Sequence, residues 1–167
     1  NVAMSSDFNL KAPPPPVVLP DLTVQFGSST LPGTLKGGEQ GVVPITVTNS
    51  GKGPAAGNAT MKLYATTDGV LDSNEVLLAT LDNQAVNLAA GASANYTFNV
   101  TIPTNMANGD YRFIAVVDAN NAVAETDETN NQVASTRVRT YTAPVVTQGD
   151  LTVQFGSSTL PGTLKGG

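Results

Sequence analysis

Two acidic loops hold most of the side chains whose types and spacing could do chemistry. The first, Asp68-Gly69-Val70-Leu71-Asp72-Ser73-Asn74-Glu75, offers Asp68, Asp72, Asn74 and Glu75 as oxygen donors. The second carries Asp118, Glu125, Asp127 and Glu128, followed at once by Asn130 and Asn131. Calcium takes six to eight oxygen ligands from carboxylates, amides and backbone carbonyls, and loops of this kind can supply several. The first lacks the Asp-x-Asp-x-Asp-Gly order of an EF-hand. Asp and Asn also suit turns for local reasons, which accounts for the first loop without any ion. In the second, four of the chain's thirteen acids fall within eleven residues, and such density needs compensation by a cation or by backbone N–H donors. The alternative there is a solvated loop in which Asn130 and Asn131 cap a hairpin.

Catalytic chemistry is poorly served. Histidine and cysteine are both absent, which removes the commonest general base, thiol catalysis, zinc–thiolate sites and disulfides. No Ser-His-Asp set or phosphate loop is present. The pair Asp68 and Asp72 would need a cleft and a raised pKa to act as glycosidase carboxylates, and short loops with few aromatics argue against a cleft. The chain is expected not to be an enzyme. A net charge of −5 with eight basic residues, read as unclustered, argues against nucleic acid and anionic membranes, and no apolar run is long enough for a membrane span. Asn58, Asn95 and Asn99 each begin an Asn-x-Thr triplet, the N-glycosylation acceptor pattern. Asn95 and Asn99 fall on the outward side of a predicted strand.

The elements that would position these loops read as short strands at even spacing. Leu22, Val24 and Phe26 alternate inward on the first. Val43, Ile45 and Val47 do so on the second, where Pro44 requires an edge or a bulge. Met61, Leu63 and Ala65 mark the third, and Val76 to Ala79 a buried fourth. Tyr96, Phe98, Val100 and Ile102 mark the fifth, Tyr111, Phe113, Ala115 and Val117 the sixth, and residues 133–141 the last. Seven strands without a helix predict an all-β, immunoglobulin-like sandwich over residues 21–141. Tyr64 and Tyr141 are the only aromatics expected to face outward.

The eighteen residues Asp21–Gly38 return unchanged as Asp150–Gly167. Identical segments flanking one domain-sized interval read as a window on a tandem array. On this reading residues 1–11 are a strand of a preceding repeat or a donor strand. Residues 12–20 are a proline-rich spacer, 142–149 a second linker, and 150–167 the first strand of the next repeat. Leu151, Val153 and Phe155 repeat the apolar face of Leu22, Val24 and Phe26, making both sets candidates for strand pairing between repeats.

The runs Leu63-Tyr64-Ala65-Thr66-Thr67-Asp68, Leu88-Ala89-Ala90-Gly91-Ala92 and Gly109-Asp110-Tyr111 lead to Val117-Asp118, then Val123-Ala124-Glu125-Thr126-Asp127-Glu128-Thr129-Asn130-Asn131. Together they resemble CARDB, the cell-adhesion-related domain found in bacteria. The Val-x-Glu-x-x-Glu-x-Asn-Asn element is its specific part. The resemblance implies a seven-stranded immunoglobulin-like or fibronectin-III-like module of large extracellular proteins, usually repeated and without catalysis of its own. The expected function is a structural repeat of a surface fibre or long adhesin, with neighbouring identical repeats or subunits as partners and calcium as a possible cofactor. A carbohydrate- or cell-surface-binding module of a secreted enzyme is the alternative, and it calls for an exposed aromatic platform.

Overall fold

The computed structural model describes residues 14–145 and Gln154. The readings of residues 1–11 and, Gln154 aside, of 150–167, including Leu151, Val153 and Phe155, lie outside the described residues. Within them the chain forms strands β1 (Leu22–Phe26), β2 (Thr34–Lys36), β3 (Gln40–Asn49), β4 (Ala55–Thr66), β5 (Val76–Leu88), β6 (Ser93–Thr101), β7 (Gly109–Val116), β8 (Gln132–Ala134) and β9 (Arg139–Thr142).

Alternation of apolar and polar residues gives each sheet one dry face. The smaller sheet runs β1-β3-β6. The larger runs β2-β9-β7-β4-β5, with β8 also on β7. All pairings are antiparallel except β2 with β9. Val43, Ile45, Val47, Phe98 and Val100 of the first sheet meet Met61, Leu63, Ala65, Phe113, Ala115 and Tyr141 of the second, all buried. The expected inward positions of β1, β3, β4, β6 and β7 are met, with Phe26 and Tyr96 half-buried at the margin of the core.

The structure corrects four expectations. Nine strands occupy the described residues instead of seven. The strand expected over 133–141 divides at Ser135, whose hydroxyl accepts from Phe113 N (2.9 Å) while its own N–H donates to Phe113 O (2.7 Å). The Arg112 guanidinium holds the next two carbonyls, of Ser135 (3.2 Å) and Thr136 (3.0 Å), so pairing on β7 breaks and resumes as β9. The extra strand β2 lies in a Gly/Pro/Ser-rich stretch with little alternation to show it.

Residues Val76 to Ala79 are not a buried strand. They begin β5, which pairs only with β4, and Leu77 is 49% exposed. A short apolar run looks alike at a sheet edge and at its centre. Tyr141 is buried, edge-to-face with Tyr111 at 6.5 Å, because β9 alternates from Arg139 inward. Pro44 lies in a central strand, but Gly27 N donates to Pro44 O (2.9 Å) just past the last β1–β3 pair, so its missing N–H falls where the ladder has ended.

The eighteen-residue segment thus crosses the sandwich: β1 closes one sheet and β2 the other, with Leu22, Val24, Leu31 and Leu35 in the core.

Candidate functional site

The described surface concentrates its buried polar groups where β1 enters. β7 ends at Val116, and Asp118 turns the chain with φ 47° while its two oxygens accept Ala122 N (3.0 Å) and Val123 N (2.8 Å). This Asx-type closure places Glu125 under the start of β1. One Glu125 oxygen accepts from Leu22 N; the other accepts from Asn131 Nδ2 at 3.0 Å. Asn130 Nδ2 donates to Asp21 Oδ1 (2.8 Å), and Thr126 N donates to Pro20 O (2.8 Å). From the other side comes Asn49, fully buried. Its Oδ1 accepts from Asp21 N and Gly51 N (both 3.1 Å), and its Nδ2 donates to Gly53 O (2.8 Å) and Leu88 O (2.9 Å). Gly51 and Gly53 allow the incoming backbone to lie against the β3–β4 turn: a Cβ at Gly53 would stand 2.1 Å from Val18 O, and one at Gly51 2.5 Å from Asp21 N.

Burial pushes the Glu125 carboxyl up to about 7, with Glu128 and Asp118 adding to the rise against the opposing bonds from Leu22 N–H and the Asn131 amide. The exposed carboxylates behave in the reverse sense. Asp68 is held below the ordinary carboxylate range by Val70 N–H and the Thr66 hydroxyl, and Asp127 by the Thr129 hydroxyl and N–H. In the first loop Asp68 and Asp72 close local turns, accepting Val70 N (2.9 Å) and Asn74 N (2.8 Å). In the second, Glu128 accepts Glu125 N (2.9 Å). Most of the compensation that the acid density demanded is therefore made by N–H donors.

The two loops leave β4 and β7 at opposite ends of the sandwich, since these strands are antiparallel. The first loop nevertheless lies back over the larger sheet. Leu71 lines one cleft of about 370 Å³ with Asp118, Asn121, Glu128 and Asn131. Among the described residues no three acidic side chains converge as a metal cluster. Asn131 Oδ1, by contrast, is buried without a hydrogen-bond partner, an unfilled acceptor beside Asp118 and Glu128.

Asn58, Asn95 and Asn99 are all exposed on strands; Asn95 Oδ1 accepts from the Thr46 hydroxyl (2.8 Å). With Tyr141 buried, it drops out of any aromatic platform. The basic residues are less dispersed than the sequence suggested. Arg137 and Arg139 line one cleft with Phe26 and Phe113, and Arg139 is buried with its guanidinium 4.4 Å from the Phe113 ring centroid. Burial, with Arg137 adding to it, lowers the Arg139 pKa. Sequence reading assigned no role to Asn49 or Arg139. An Asn inside an Asn-Ser-Gly turn looks like any turn residue, and only the arrival of β1 and β5 beside it makes its amide a hub.

The fold and this carboxylate-and-amide clasp define an immunoglobulin-like sandwich whose first strand is fastened by the β7–β8 loop. The CARDB family model matches residues 19–135, and the chain belongs to that family. It is similar to the CARDB domain of a Pyrococcus furiosus protein, crystallised in complex with di-metal ions: 24% identity, 75% of this chain, 96% of that one, TM-score 0.51. The solution structure of that domain compares at 23% identity, 75% and 97% coverage and TM-score 0.51. A β-glucosidase from Listeria innocua aligns at 18% identity and TM-score 0.44, over 76% of this chain and 17% of the enzyme. Comparison with curated proteins returned no match.

Proposed function

We propose that this chain is a non-catalytic structural repeat of an extracellular surface fibre or long adhesin, extended through β-strand pairing between repeats. The observation that carries this reading is the separation of entry from exit. Leu22 pairs with Asn49 at one end of β3, whereas Thr142 pairs with Lys36, which leads into Gln40 at the other end. Ten residues of strand put these ends roughly 30 Å apart. Successive units joined through short linkers therefore add length. Chains of one, two and three repeats measured by small-angle X-ray scattering should lengthen by roughly one sandwich per repeat; a maximum dimension that stays nearly constant would refute the reading.

A divalent cation is part of the proposal. The related P. furiosus domain was crystallised with di-metal ions. Here Asp118, Glu128, Asn121 and Asn131 line one cleft, with the Asn131 acceptor unfilled. Such an ion would cross-link the two ends of the β7–β8 loop and stiffen it. Calcium at millimolar concentration should raise the melting temperature over that in chelator, and Asn131→Ala should remove the difference. Equal melting temperatures would exclude the ion.

A further inference from the structure

Resting on that strand-pairing reading, we propose that the clasp at the β1 end is a reader of the repeated segment, able to take Asp150–Gly167 of a second copy of this chain in place of Asp21–Gly38. The two lead-ins differ: Val18-Leu19-Pro20 against Thr147-Gln148-Gly149. Hydrogen bonds to that stretch use its backbone alone, Gly53 N donating to Leu19 O (2.9 Å) and Thr126 N to Pro20 O (2.8 Å). Both carbonyls exist whatever the side chain. From Asp21 onward the copies are identical, and there side chains are read. Asn130 meets the Asp21 carboxylate, and Leu22, Val24, Leu31 and Leu35 fill the core; Glu125 takes the Leu22 N–H, a backbone group that any residue there would supply. The second copy presents Asp150, Leu151, Val153, Leu160 and Leu164 at the same spacing. Gly149 leaves the buried space of the Pro20 ring empty, so the chain's own first copy holds the advantage.

The exchange runs between molecules. Thr142 lies at the end opposite Asp21 and in the other sheet. The eight steps from Thr142 to Asp150 span at most about 29 Å fully extended, whereas a route around the sandwich exceeds roughly 30 Å of strand length plus about 10 Å between sheets. The second copy falls short of its own clasp and reaches a neighbour's.

The full chain carrying L22D and L35D keeps one intact copy, residues 150–167. It should retain a cooperative thermal transition and run in light scattering at multiples of 17.1 kDa. Adding L151D and L164D should abolish the transition. In the L22D/L35D background, Asn130→Ala should raise the concentration of half-dissociation about tenfold, the equivalent of roughly 1.4 kcal/mol. An L22D/L35D chain as unfolded as the quadruple variant overturns the inference, and a folded monomer overturns its intermolecular part. Scattering lengths that refute the fibre reading would leave the multimer result standing, so the two fail separately.

Discussion

Glu125 is an acid whose protonated form the fold prefers. Its pKa, raised to about 7 from an ordinary 4.5, means that between these values the folded chain binds a proton that the unfolded chain does not. The stability from this group is complete below about pH 4.5 and is lost as pH rises through 7, an effect of roughly 3 kcal/mol at most. Asp68 and Asp127 act in the opposite sense, contributing above the ordinary carboxylate range and losing that contribution as pH falls through their lowered values. Urea unfolding should therefore show stability falling from pH 5 to pH 8, and Glu125→Gln should flatten that interval. A slope unchanged in the variant would assign the effect elsewhere. Asn49→Ala strips four hydrogen bonds from a buried position and should cost about 3 kcal/mol in the same assay. The Val-x-Glu-x-x-Glu-x-Asn-Asn spacing made Glu125 visible in the sequence as an acid, but nothing in that spacing says that its partner is the N–H of Leu22, 103 residues away.

Among the elements, β1 depends on its entry and β5 on its exposure. Gly53→Val places side-chain atoms where Val18 O lies. Amide exchange should then accelerate selectively over Leu22–Phe26, with β4 and β7 still protected; uniform acceleration would mean that the clasp is no separate unit. At β5, Leu77→Lys puts a charge on an exposed edge position and should change stability by no more than about 0.5 kcal/mol while lowering aggregation. The strands with strict alternation, β3 and β6, were legible because each has one dry face, and β7 was legible from Tyr111, Phe113 and Ala115 even though Ile114 on its other face is buried too. The three-residue strand β2 was not, and β8 was not told apart from β9, since three pairings leave no periodicity to detect. The early part of β5 misled because apolar side chains on an edge strand share the composition of a buried one.

For the whole molecule, the decisive property is where the chain enters and leaves. The chain enters and leaves the sandwich at opposite ends, and on the proposed repeat reading that separation would set the direction in which units extend. The sequence by itself determined the all-β class, the CARDB resemblance and the position of the duplicated segment, because alternation, motif spacing and identity are local or countable properties. The tertiary structure decided what the first copy, Asp21–Gly38, does: it crosses from one sheet to the other and is held at its start by Glu125, Asn130 and Asn49. It also turned the expected acid cluster into a set of carboxylates closed by N–H donors and buried Tyr141 beneath β9's neighbours. The physical reason is the same in each case. Burial and hydrogen-bond partners depend on which distant strands arrive beside a residue, and alternation fixes a side chain's face of its own strand without fixing what covers that face.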